Sequence, residues 1–176
     1  MSSNLLFPID GFTLGKTTID ELVNLGIVEL DDRYSLSNGL IDEIRGASLG
    51  DIFIQYGEKS RIIDYCSIMG DDDDSIPQKW ISLGMSWENT PDEWLEFAET
   101  HNLETRCYSK KPDHRADEDD RDYSLCLSYS ADGIFYDIYL DYSYYSDLMF
   151  SRLGRKRDEF LEFKSISVHA RKQDKL

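Results

Sequence analysis

Carboxylates are the most abundant ionisable groups in this chain, thirty-five Asp and Glu against nineteen Lys and Arg. Their spacing decides what chemistry they suit. Asp71-Asp72-Asp73-Asp74 and Asp117-Glu118-Asp119-Asp120 are unbroken runs. Hard cations take carboxylate oxygens, but a calcium-binding loop alternates its ligands with spacers and closes on a distal Glu. The 71–74 run has neither feature. Adjacent aspartates repel one another, so it reads as an exposed loop with no metal assigned, and cation binding there stays open as the alternative. Hydrolysis by paired acids needs two converging carboxyl groups. With so many acids a close pair arises by chance, and nothing in the spacing singles one out.

The other reactive groups are equally unorganised. His101, His114 and His169 have no Cys or His at ligand spacing, and Cys66, Cys107 and Cys126 are odd in number with no metal-ligand pattern. They read as free thiols in a reducing compartment. Gly11-x-x-x-Gly15-Lys16-Thr17 ends like a phosphate loop, but three residues separate its glycines where wrapping a phosphate takes four. The sequence therefore predicts no enzyme and no cofactor, with a carboxylate-dependent hydrolase as the alternative.

One pattern does suit recognition. Ile134 to Tyr142 alternates as a strand, with Ile134, Tyr136, Ile138, Leu140 and Tyr142 on the inner face. The other face carries Phe135, Asp137, Tyr139, Asp141, Ser143 and Tyr145. Tyrosine anchors interfaces, and aspartate pairs with a partner's Lys or Arg. The candidate partner-binding set is Asp137, Tyr139, Asp141 and Tyr145, the acidic loop Asp117, Glu118, Asp119 and Asp120, and Trp87. The plain alternative is an ordinary solvated sheet face rich in tyrosine.

Charge narrows the partner. The net charge is −16, and it is uneven: residues 1–151 hold eleven basic against thirty-one acidic residues, a net −20. Such a field repels nucleic acid and membrane surfaces and attracts basic proteins. The bland effect of the same charge is solubility. No apolar run approaches the ~18–20 residues of a membrane span. The segment Met1–Pro8 has neither the basic nor the long apolar region of a secretion signal. A cytoplasmic protein is expected.

The elements that would position these residues fall into two halves. Thr18-Ile19-Asp20-Glu21-Leu22 returns as Thr90-Pro91-Asp92-Glu93-Trp94. Each threonine is spaced to cap a helix while the glutamate three residues on reaches back, a capping box. Both blocks follow a lead ending in Leu-Gly, Phe12–Gly15 and Ile81–Gly84, which reads as strand-like. Asp51–Tyr56 and Arg61–Ile68 form a hairpin around Gly57–Ser60, and Tyr123–Tyr129 pairs with Ile134–Tyr142. Residues 103–109 and 159–170 read as further strands, the last with a bulge near Lys164-Ser165, where the apolar parity shifts. The prediction is an α+β protein of two similar modules, 1–75 and 76–176. Each is a short capped helix packed on an antiparallel sheet.

The repeated block, Leu14-Gly15…Thr18-x-Asp20-Glu21-Leu22 and Leu83-Gly84…Thr90-x-Asp92-Glu93-Trp94, resembles the tandem-repeat plan of the beta-lactamase-inhibitory-protein-like group. Lipoprotein relatives of that plan carry a signal and a lipidated Cys near the start, so their role is set aside. The chain also resembles bacterial immunity proteins of polymorphic and contact-dependent toxin systems, which are small, acidic, aromatic-rich and without catalytic motifs. That resemblance implies a cytosolic protein that binds and neutralises a cognate basic toxin, a nuclease among the candidates. A structural or ligand-binding module of a larger assembly is the remaining alternative.

Overall fold

A computed structural model describes residues 4–30, 35–36, 44–70, 75–109, 122–144 and 161–172. The aspartate run 71–74 and the acidic loop around 117–120 lie outside the described residues.

Helix ends are set by local chemistry. Thr18 and Thr90 cap α1 (Ile19–Asn24) and α3 (Pro91–His101), both through complete capping boxes. In each box the glutamate Oε2 accepts the threonine N–H at 2.7 Å. The glutamate N–H donates to the threonine Oγ1 at 3.4 Å. Pro91 opens α3, where no intrahelical donor is needed. A shorter helix, α2 (Gln78–Ser82), lies between them. The three described helices stop alike. A residue at positive φ (Gly26, Gly84 or Asn102) follows the last turn. The next N–H then reaches back to close the turn: Ile27 to Leu22, Met85 to Trp80 and Leu103 to Ala98.

This corrects the reading of the Leu-Gly leads. Neither is a strand. Ile81–Gly84 is the end of α2, and Leu14-Gly15 lies in a tight turn in which the Lys16 and Thr17 N–H groups donate to the Thr13 carbonyl. Phe12 makes only an isolated bridge to Ile9. What the two glycines share is a left-handed backbone, φ +79° at Gly15 and +101° at Gly84. At Gly15 the space is also taken, since an added Cβ would stand 3.0 Å from Ala170 Cβ and 3.1 Å from Ile134 Cδ1.

The strands are β1 (Ser35–Leu36), β2 (Ile44–Leu49), β3 (Ile52–Gly57), β4 (Ile63–Met69), β5 (Glu104–Ser109), β6 (Asp122–Ala131), β7 (Ile134–Tyr144) and β8 (Leu161–Lys172). They form one antiparallel sheet in the order β1-β2-β3-β4-β8-β7-β6-β5. Each half of the chain is thus an up-and-down meander, and the last strands of the two meanders meet at the centre. β6 and β7 join through Asp132-Gly133, both at positive φ, as a two-residue hairpin with right-handed twist requires. Ser165 pairs with Asp141 and Phe163 with Tyr142, so Lys164 is the extra residue of the expected bulge.

The three described helices all contribute to one side of the sheet. Trp94 of α3 stands edge-on to Phe163, 5.7 Å between centroids. Residues 4–9, read from sequence as a lead-in, belong to the same core: Leu6 and Phe7 are fully buried, and the Trp80 indole donates to the Leu6 carbonyl at 3.0 Å. Buried apolar side chains from both halves form a single cluster. No described helix is long and apolar enough to cross a membrane.

Candidate interaction face

Alternation along the strands sends every second side chain to the side opposite the core. The pairing register then builds rows across the sheet. In one row Ser128, Asp137, His169, Tyr65 and Gln55 lie abreast on β6, β7, β8, β4 and β3. In the next, Cys126, Tyr139, Ser167, Ser67 and Phe53 do. No described helix packs on this side. Its centre is aromatic. His169 stands edge-on to Tyr65 at 4.6 Å and to Tyr139 at 5.3 Å, and Phe53 stands edge-on to Tyr65 at 6.5 Å. The four rings run obliquely over the four central strands.

The acids on this face differ. Asp137 is buried, 5% exposed, and its charge is answered within the chain. Ser128 donates to Oδ1 at 2.6 Å, and Arg171 donates to Oδ2 from Nε at 3.1 Å and from Nη2 at 2.6 Å. Arg171 also lies over the Phe135 ring, 5.0 Å from its centroid. Asp141 is half-buried and accepts from two hydroxyls, Ser124 of β6 on Oδ1 and Ser165 of β8 on Oδ2. It joins no ion pair among the described residues.

Ionisation follows from these surroundings. Packing against the neighbouring rings lowers the His169 pKa from its ordinary 6.5; the Asp137 charge opposes that shift and the Arg171 charge adds to it. The face is therefore neutral at His169 near pH 7. Burial raises the Cys126 thiol, and it pushes Cys66, in the core, up to about 12. Both stay protonated and unreactive at neutral pH.

The structure brings Asp137, Tyr139 and Asp141 onto one face, as the alternation predicts. Trp87 sits elsewhere. Its indole donates to Ser75 Oγ at 3.1 Å and its ring packs on Phe163, on the helix-bearing side. Tyr145 and Asp117, Glu118, Asp119 and Asp120 lie outside the described residues. The sequence reading missed Phe53, Tyr65 and His169. The signal was present: Phe53 alternates with the buried Ile52 and Ile54, and His169 follows the bulge whose parity shift had been noticed.

A cleft of about 410 Å3 opens where β5 begins, lined by Leu5, His101, Asn102, Leu103, Glu104, Ser128, Tyr129, Ser130 and Phe135, of which Ser128 and Phe135 are shared with this face. It holds one carboxylate, Glu104. Among the described residues no three His, Cys, Asp or Glu side chains gather as a metal site. No protein-family model, curated protein or solved structure matches the chain.

Proposed function

We propose that this chain is a cytoplasmic immunity protein that binds a basic bacterial toxin stoichiometrically and neutralises it, a nuclease domain being a fitting target. The observation that carries the reading is the oblique band of Phe53, Tyr65, His169 and Tyr139 over the four central strands, on a side without a described helix and beside Asp141, which joins no ion pair among the described residues. Rigid rings supply the area that anchors an interface at low entropic cost, and a net charge of −16 steers a basic partner towards it. The same reading takes 1–75 and 76–176 as two similar modules. It is supported by two capping boxes of matching geometry and by two four-strand meanders meeting at β4 and β8. Hydrolysis by paired acids asks for two carboxyl groups about 5–10 Å apart in one cleft. The cleft at β5 offers Glu104 alone; a second, of about 260 Å3 beside α3, is lined by Glu93 and Glu96, and the Glu93 carboxylate is engaged by the Thr90 cap.

The test is co-expression with the product of the adjacent gene. Growth should be restored, and the two proteins should purify as a complex whose dissociation constant rises with salt. Tyr65→Ala with Tyr139→Ala should weaken the complex by about tenfold or more. Absence of protection, or a complex indifferent to both changes, would overturn the proposal.

A further inference from the structure

Past the end of β4 the chain forms another recess, of about 380 Å3, lined by Ile76, Ile81, Met85, Ser86, Trp87 and Glu88. Two of its walls, Ile76 and Met85, belong to the core. The Trp87 indole is fixed by three contacts. Its N–H donates to Ser75 Oγ at 3.1 Å, its ring stands edge-on to Phe163 at 5.0 Å, and it lies against Gly70, where an added Cβ would be 3.2 Å from its Cε3. Ile81, on α2, differs from the other apolar walls: it is 44% exposed. The recess is thus preformed, apolar and open to solvent.

We propose that this recess receives one bulky aliphatic side chain of the partner protein, from a segment in which Lys or Arg stands on both sides of it. The proposal rests on the toxin-binding reading and adds a contact reached over the end of β4. A pocket of this kind takes an anchor, and anchors carry much of an interface's energy. Charge sets what flanks the anchor. Glu88 lines the recess. Asp71, Asp72, Asp73 and Asp74 join Gly70 to Ser75, two of the residues that hold Trp87. Those four lie outside the described residues, but chain length keeps each Cα within about 8 Å of Gly70 or Ser75. Lys164, whose carbonyl accepts from the Gly70 N–H, is one base beside these five acids. Lys79 of α2 is spent elsewhere, its ammonium donating to the Phe7 carbonyl at 2.6 Å. Met69 marks the route from the aromatic band. By alternation it is on the same side of β4 as Tyr65, and it is 57% exposed. Its carbonyl accepts at 3.3 Å from the Ser75 hydroxyl that also holds Trp87.

The experiment needs no toxin. The full chain is titrated with the capped tripeptide Lys-Leu-Lys to about 20 mM, enough to fill a millimolar site. The Trp87 indole N–H and the methyl resonances of Ile76, Ile81 and Met85 are followed, and saturable shifts are expected there. Lys-Ala-Lys lacks the anchor and should bind about tenfold more weakly or worse. Glu-Leu-Glu meets like charge and should bind about threefold more weakly or worse. Ile81→Gln, at an exposed position, should weaken Lys-Leu-Lys by about threefold or more. Leu25→Gln, at an exposed apolar residue outside the recess, should leave it unchanged. Absence of shifts, equal binding of either control peptide, unchanged binding in Ile81→Gln or equal weakening in Leu25→Gln overturns the proposal. So do shifts that follow protein concentration without peptide, which would put a second copy in the recess. If the recess takes no peptide while cells remain protected, only this inference falls. If it binds Lys-Leu-Lys but no toxin is neutralised, the function reading falls instead.

Discussion

His169 sets the electrostatic state of the candidate face from its middle. The groups facing it are the Tyr65 ring from β4, the Tyr139 ring and the Asp137 carboxylate from β7, and Arg171 on its own strand. Crowding by the rings favours the neutral imidazole, so the folded pKa lies below the unfolded 6.5. Between those two values the unfolded chain binds the proton and the folded chain does not. Stability is therefore full above pH 6.5 and declines as pH falls from there through the folded value. Urea unfolding at pH 7.5 and 5.5 should show a loss for the native chain that is smaller in His169→Gln. Equal losses in both would show that another group carries the pH dependence. If the proposed basic partner binds this face, its affinity should fall over the same window, because the added positive charge appears beside Asp137.

At the scale of elements, stability is concentrated at helix ends. Thr90 caps the eleven-residue α3, which places Trp94, Phe97 and Ala98 in the core. Thr90→Ala should cost about 1 kcal/mol in urea unfolding and Thr90→Ser much less, since serine keeps the accepting oxygen. Equal losses for the two would mean that the threonine methyl, and not the cap, matters. This element was legible in full: the box, the proline and the positive-φ Asn102 are all local signals. The β6–β7 hairpin was legible because eleven residues of period-two alternation flank Asp132-Gly133. β2 was not. Its residues, Ile44-Arg45-Gly46-Ala47-Ser48-Leu49, include Gly46 and Ala47, which favour strands little, and the ladder to β3 is what holds it. α2 was missed because five residues give too short a window for helical period. The site was half legible for the same reason. Alternation placed Asp137, Tyr139 and Asp141 on one face, but Asp137 is answered by Arg171, thirty-four residues away, and pairing over that range depends on a register no local pattern fixes.

At the scale of the whole molecule, the two halves share their interior. Leu6 and Phe7 from the first half lie under Trp80 and Tyr136 of the second, with Phe7 stacked on Tyr136 at 5.7 Å. The Tyr136 hydroxyl donates to the Leu14 carbonyl at 3.0 Å. Gly15 closes the contact, pressed against Ala170 and Ile134 with no room for a Cβ. A change at Gly15 should therefore be felt in both halves together. Trp80, Trp87 and Trp94 all belong to the second half, so tryptophan fluorescence reports on that half and, through Trp80, on its contact with Leu6 and Phe7, while far-ultraviolet dichroism reports on the backbone of both. Gly15→Ala forces a left-handed backbone on alanine and drives its methyl into the second-half hairpin, a loss of about 2–4 kcal/mol. The two probes should give one coincident transition in the native chain, and the substitution should move both by the same amount. A fluorescence transition that stays in place while the dichroism shifts would mean that the halves unfold separately, and that the sheet joining β4 to β8 does not couple them.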